Sequence, residues 1–279
     1  MQKYLEKANV LIEALPYIRK FSSKIILIKY GGSAMENEEL KHCVMQDIAL
    51  LKLVGLKPII VHGGGKDISK MCEKLGVKSE FNNGLRVSDQ ATTEVASMVL
   101  NYINKNLVHS LQNLGVKAIG LCGKDGGLLE CVQKDENLGF VGEIQKVNSS
   151  VLQDLLEKDF LPIIAPIGMD ENFNTYNINA DDAACAIAKA LKAEKLAFLT
   201  DTAGLYENFE DKNSLISKIS ITQAKALVDK IQGGMHVKLK SCIDACESGV
   251  EKVHILDGRV KHSLLLEFFT DEGIGTLVG

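Results

Sequence analysis

Leu5, Ala8, Leu11, Ile12, Leu15 and Ile18 recur at helical spacing, so residues 1–20 are expected to form an amphipathic helix placed before the first strand. Residues 24–29, Lys-Ile-Ile-Leu-Ile-Lys, read as a buried strand that ends at Gly31 and Gly32, and residues 38–54 carry the helix that follows. The unit repeats at once, with an apolar run over 58–61, a turn at Gly63-Gly64-Gly65 and a helix over 67–75. Strand, glycine turn and helix in alternation predict an α/β fold whose mainly parallel sheet is covered on both faces.

Residues 77–88 are polar and contain glycine, which fits a small hairpin or a lid. A long helix is expected over 89–111, a short strand over 116–121 and a glycine-rich β excursion over 126–147. Asn148 or Ser149 can cap a helix running to residue 158, and residues 161–165 return to the sheet. A second alternation starts after Asn177, with helices over 180–191, 222–231, 235–247 and 262–269 and strands over 195–200 and 252–256. The expected organisation is an added helix at 1–22, one lobe over 23–178 and a second over 179–279. No Pro- or Ser-rich spacer separates the lobes, so they are expected to share one sheet.

Composition narrows the partners. Of the 279 residues 46% are hydrophobic and 24% charged, which fits an ordered globular chain rather than a disordered or fibrous one. The net charge is −4, so no broad basic surface exists for nucleic acid or an anionic membrane, and any anionic ligand must be held by local groups. The apolar runs fall far short of the roughly 20 residues of a membrane span. The first residues lack the apolar core and cleavage site of a secretory signal, and seven scattered cysteines do not make a disulfide framework, so a reducing, cytoplasmic setting is expected. Cys242 and Cys246 can share a helix face, which fits core packing better than a metal site.

In open parallel sheets ligands sit at the carboxyl ends of strands, where glycine turns let backbone N–H groups approach anionic oxygens. Gly31-Gly32 and Gly63-Gly64-Gly65 are two such turns, although either could serve only to reverse the chain. The dinucleotide pattern fails because Ile68 stands where its last glycine belongs, and no P-loop sequence is present. Lys29 ends an apolar strand directly before the first turn, and Lys238 follows Gly233-Gly234 at a helix start; each could equally be a solvated lysine. Between them, Asn177-Ile178-Asn179-Ala180-Asp181 gathers amides and a carboxylate ahead of an Ala-rich helix, where Asn179 or Asp181 could be a cap.

Taken together and in order, these segments and Asn83-Gly84-Leu85-Arg86-Val87 resemble the amino-acid kinase family. Within it, the 83–87 and 177–181 segments resemble the members that phosphorylate N-acetyl-L-glutamate in arginine biosynthesis. The resemblance implies a three-layer αβα sandwich with a mainly parallel central sheet, the acylated amino acid on the N-terminal lobe and ATP on the C-terminal lobe. It implies that Lys29 and Lys238 stabilise the transferring phosphoryl group and that Asp181 organises them. Gly64, Gly65, Arg86 and Asn177 would hold N-acetyl-L-glutamate, and Gly31, Gly32, Asp201, Gly204 and Tyr206 would serve the nucleotide. Tyr30 departs from the aliphatic residue common at its position, but the lysine and both glycines beside it are intact.

Residue chemistry agrees with that implication. Phosphoryl transfer needs alignment and positive charge more than covalent participation, and two converging lysines supply both. A carboxylate nucleophile is ionised near neutral pH, so no general base is required. Mg²⁺ is expected to travel mainly on the ATP phosphates, with no dedicated protein metal site. The resemblance extends to arginine-sensitive members, in which an N-terminal helix links dimers into a hexamer, a trimer of dimers. His254 and Glu272 are the residues it offers for inhibitory arginine.

Overall fold

The computed structural model describes residues 1–279 apart from 83, 209, 232, 233 and 272. Helix α1 (Gln2–Phe21) leads into strand β1 (Ile25–Tyr30), helix α2 (Glu38–Leu53), strand β2 (Lys57–His62), helix α3 (Gly65–Leu75) and the long helix α4 (Gln90–Gln112). Strand β3 (Ala118–Cys122), helix α5 (Ser149–Glu157) and strand β4 (Leu161–Ala165) complete the first half. The second half runs through helix α6 (Ala180–Ala190), strands β5 (Lys195–Thr200) and β6 (Lys218–Ile219), helices α7 (Ile221–Val228) and α8 (Gly234–Glu247), strand β7 (Lys252–Asp257), helix α9 (Ser263–Phe268) and strand β8 (Thr276–Val278).

These eight strands form one sheet in the order β6-β8-β7-β5-β1-β2-β4-β3. The six strands from β7 to β3 are mutually parallel, and β8 joins antiparallel to β7. The sheet crosses from residues 25–30 directly to 195–200, as the missing linker led one to expect. All six parallel strands therefore open their carboxyl ends on the same edge, which gathers the glycine turns there.

Strand alternation assigns the two faces. Leu27, Ile59, Val61, Leu196 and Phe198 face a core shared with α5, α6 and α8. Ile26, Ile28, Tyr30 and Ile60 face the opposite core, built with α2, α4 and α9. Lys29 lies one residue beyond Ile28 and so belongs to the α6 and α8 face. Helix starts are fixed by side-chain caps: Asn37 accepts from Glu39 and Leu40 N–H, Asp89 from Thr92 N–H, and Ser220 forms a capping box with Gln223.

Smaller β elements flank this sandwich. Residues Glu80–Asn82 and Leu85–Val87 form the hairpin expected between α3 and α4. The expected excursion holds strands Leu129–Gln133 and Gly142–Val147, joined by Ile167–Met169 and Thr175–Asn177, which carry too few residues for a readable period. Strands β6 and β8, of two and three residues, escaped the sequence reading for the same reason. Along α1 the side chains of Tyr4, Leu5, Leu11, Ile12 and Leu15 are exposed, while Phe21 is buried and the Tyr17 hydroxyl donates to Asp271 at 2.5 Å. Among the described residues, no helix is long and apolar enough to cross a membrane.

Candidate active site

The three charged residues singled out at the sheet edge meet. Asp181 Oδ1 lies 2.9 Å from Lys29 Nζ, and Oδ2 accepts a 2.7 Å hydrogen bond from Lys238 Nζ. The Oδ1 contact has ion-pair distance without the alignment of a hydrogen bond. Burial by itself pushes the Asp181 pKa up, but the two ammonium groups outweigh it and hold the carboxyl down at about 2. Asn179, not Asp181, is the cap of α6: its side chain accepts from Asp181 N–H at 2.8 Å and Asp182 N–H at 3.2 Å. The cap fixes the first turn and leaves the Asp181 side chain to reach the lysines.

A cleft of about 260 Å³ opens beside this trio, bounded by Gly31, Gly32, Gly64, Gly65, Arg86 and Asn177 among others. Gly64 precedes α3, and a Cβ there would lie 2.8 Å from both Leu100 Cδ2 and Ile103 Cδ1, so a side chain would have to displace those two methyl groups of α4. The first N–H groups of α3 have no intrahelical acceptor and favour an anion. Gly32 has φ +71°, and a Cβ on it would collide with Asp201 Oδ1, which accepts from Ser33 N–H at 2.6 Å.

Arg86 is buried, and all its polar partners are neutral. Nη2 donates to the Gly65 carbonyl at 2.6 Å and to Ser69 Oγ at 2.8 Å, Nη1 donates to Ser79 Oγ, and the guanidinium lies 4.6 Å from the Phe81 ring centroid. Among the described residues it has no carboxylate partner. Burial lowers its pKa without removing its charge near neutrality. Asn177 Nδ2 donates to Ser88 Oγ at 3.2 Å, which directs Oδ1 away from that contact. Lys29, Arg86 and the Asp181 carboxylate border the cleft, and Lys238 joins them through Asp181, within a chain whose net charge is −4.

His62, the imidazole nearest the glycine turn, is closed off from proton transfer. It is fully buried, and desolvation pulls its pKa to about 4. The neutral ring donates from Nδ1 to the Gly63 carbonyl at 2.9 Å and accepts at Nε2 from Asn104 Nδ2 at 3.2 Å.

Other expected positions fall outside the cleft. Gly204 packs against Thr276, and Tyr206 ends the strand Leu205–Tyr206 that pairs with Leu215–Ile216. A second cleft of about 360 Å³ adjoins this hairpin, bounded by Glu207, Ile216, Ile219 and Leu227 among others. His254 lies on β7 in register with Ala197 and Ile28, on the sheet face opposite Lys29, while Glu272 is outside the described residues. A different carboxylate meets His254: Nδ1 donates to Glu267 Oε1 at 2.6 Å, and Nε2 accepts from Lys195 Nζ at 3.2 Å. Glu267 also accepts from Ile274 and Gly275 N–H. Sequence reasoning missed Glu267, Ser69, Ser79, Phe81 and Ser88 because their partners lie on other elements and meet them only in the fold.

Comparison with known proteins adds the family and the fold. Residues 24–257 match the amino acid kinase family. An acetylglutamate kinase of Campylobacter jejuni subsp. jejuni serotype O:23/36 (strain 81-176) is 91% identical over the full length of both chains. Another, from Caldanaerobacter subterraneus subsp. tengcongensis, is 55% identical over 98% of this chain and 93% of that one. Among solved structures, N-acetylglutamate synthase from Neisseria gonorrhoeae complexed with coenzyme A and N-acetyl-glutamate superposes with TM-score 0.87 at 26% identity, covering 98% of this chain. This chain spans 63% of the synthase's length. Carbamate kinase from Giardia lamblia bound to AMP-PNP shares the fold at TM-score 0.70 and 16% identity, over 92% of this chain and 98% of that one. With paired lysines, a glycine-lined cleft and a matching sandwich joined to full-length sequence similarity, the chain belongs to the amino acid kinase family, on the branch its acetylglutamate kinase relatives occupy.

Proposed function

We propose that this enzyme transfers the γ-phosphoryl group of ATP to the side-chain carboxylate of N-acetyl-L-glutamate, giving N-acetylglutamyl 5-phosphate and ADP in arginine biosynthesis. The observation that carries the reading is the placement of Lys29 and Lys238 on the two oxygens of Asp181, at the mouth of a cleft that also holds Arg86 and the glycine turns. Residues 23–178 form the acceptor lobe and residues 179–279 the nucleotide lobe.

The α-carboxylate of the acceptor pairs with Arg86, whose charge has only neutral partners among the described residues. Asn177 Oδ1 accepts from the acetamido N–H, because its Nδ2 is already engaged by Ser88. The Gly64 and Gly65 backbone fixes the reacting end. The side-chain carboxylate attacks phosphorus directly, the bond to the bridging oxygen of ADP breaks, and no proton moves. Lys29 and Lys238 then face the charge that builds on the equatorial oxygens, while ionised Asp181 keeps both ammonium groups aligned and charged.

ATP lies along Gly31 and Gly32, with Asp201, Gly204 and Tyr206 on its wall, and the second cleft, where Ile216, Ile219, Ala226 and Leu227 meet polar neighbours, offers a seat for the base. Mg²⁺ would be carried mainly by the ATP phosphates, where it shields their charge. The test is a coupled ADP-release assay with N-acetyl-L-glutamate, L-glutamate, L-aspartate, carbamate and a nucleoside monophosphate as acceptors. Turnover should require N-acetyl-L-glutamate. Equal specificity constants for L-glutamate would refute the acceptor assignment.

Arginine is proposed as inhibitor, and α1 as the element that pairs subunits into a hexamer, a trimer of dimers. The exposed stripe of α1 supports this, as does the 4.6 Å approach of Lys195 Nζ to the Phe21 ring, which joins α1 to the His254 and Glu267 cluster. Glu272, the carboxylate offered with His254 for a guanidinium, lies outside the described residues. Cytoplasmic residence fits the seven free thiols. Particle mass and arginine titration of the full chain, and of one starting at Ser22, test the regulatory reading. A full-length dimer indifferent to arginine would overturn it.

A further inference from the structure

Phe198 is fully buried and does not border the cleft, yet it neighbours both lysines. On β5 it is the register partner of Lys29 on β1, so the two side chains leave the sheet side by side on the same face. Its ring centroid lies 5.0 Å from Lys238 Nζ. The Lys238 ammonium therefore has Asp181 Oδ2 at 2.7 Å on one flank and an aromatic face on another. Among the described residues its other donors have no hydrogen-bond partner, and Asp181 beside it borders the cleft.

We propose that Phe198 is a positioning residue for phosphoryl transfer, acting through a cation–π contact that aims the Lys238 ammonium at the transferring group. Asp181 alone draws the ammonium towards itself. The ring supplies a second attraction from the core side, and its apolar body excludes water that would otherwise solvate the charge. The result is a fixed direction for the free N–H groups before the phosphoryl group arrives, which lowers the cost of alignment in the transition state. An aliphatic side chain of similar bulk would fill the core equally well but would not hold the cation.

The inference rests on the phosphoryl-transfer reading, and the two can fail separately. Wild-type turnover tests the reaction; the ratio of variant to wild-type turnover tests Phe198. Mono-, di- and trifluorinated phenylalanine at position 198 keep the ring's shape while progressively cancelling its negative face. Across this series kcat should fall stepwise, by about 2- to 10-fold in total, as expected for a contact of this class. KM for each substrate should stay within about twofold, because the charge of Lys238 remains. Phe198→Leu should lose at least as much, with its thermal midpoint checked alongside. A flat kcat across the fluorinated series in folded protein would make Phe198 a core residue only and overturn the proposal.

Discussion

Two carboxylates in this molecule each sit among basic groups, and their surroundings differ in what is left unsatisfied. Asp181 binds Lys29 and Lys238 beside an open cleft. Glu267 is sealed: His254 takes one oxygen, and the Ile274 and Gly275 amides take the other. A Cβ on Gly273, at φ +66°, would come 2.6 Å from that second oxygen, so the loop closes over the carboxylate as tightly as glycine allows. Around Asp181 the cations outnumber the anion and face a space that a ligand can enter. Around Glu267 burial holds His254 below its ordinary pKa, so the neutral ring passes a hydrogen bond from Lys195 to the ionised glutamate. A surplus of charge at a cleft marks the chemistry, and a self-satisfied cluster marks a joint between elements.

The largest expected effect breaks that contrast at its open end. Lys29→Ala, Lys238→Ala and Asp181→Asn should each lower kcat by roughly 10²- to 10³-fold, with smaller changes in KM, because the lost interaction is made mainly in the transition state. Glu267→Gln should leave kcat within about threefold, since no reacting group meets it. Steady-state kinetics on folded variants compare the two sites, and near-normal turnover of either lysine variant would remove that lysine from the mechanism.

Arg86→Lys sharpens the account on the acceptor side. Replacing a planar guanidinium by a point charge should raise KM for N-acetyl-L-glutamate by about 10- to 100-fold, the range for charge-assisted hydrogen bonds, and leave KM for ATP nearly unchanged. Equal shifts for both substrates would move Arg86 out of the acceptor pocket.

A smaller effect separates the two clusters by pH. Asp181 has a depressed pKa of about 2, so its stabilising contribution is complete above the ordinary carboxylate value near 4 and is lost as pH falls through about 2. Lys195 behaves oppositely: burial, helped by Lys252, lowers its pKa to about 8. Between about pH 8 and 10.5 the unfolded chain binds more protons there than the folded one, so stability rises with pH over that window. Lys195→Met should accordingly stabilise the protein at pH 7, by on the order of 2 kcal/mol, with the gain shrinking towards pH 10.5. Thermal melts across that range check the sign, and a loss of stability at pH 7 would mean that its contacts to His254 and the Phe21 and Phe268 rings outweigh desolvation.

The two clusters were unequally legible in the sequence. Lys29 could be placed because an apolar strand ends there and glycines follow, and Asp181 because an amide-rich cap precedes it; their meeting with Lys238 follows from the resemblance rather than from spacing. The Glu267 pairing was not readable. It joins β7 to α9 across 13 residues, and nothing in an apolar helix flags one glutamate as buried. The neutral cage of Arg86 was hidden for a similar reason, since Ser69 and Ser79 reach it only once α3 and the 80–87 hairpin fold together. Long strands and helices announced themselves by period, whereas β6 and β8, at one end of the sheet, are too short to show one and add only Ile219 and Val278 to the core.

If a carboxylate receives the phosphoryl group, the acyl phosphate formed will be trapped by hydroxylamine. With ATP, Mg²⁺ and N-acetyl-L-glutamate, hydroxamate should accumulate in step with ADP, and L-glutamate in place of the acetylated substrate should yield little of either. ADP released without hydroxamate, or equal hydroxamate from both acceptors, would contradict the account.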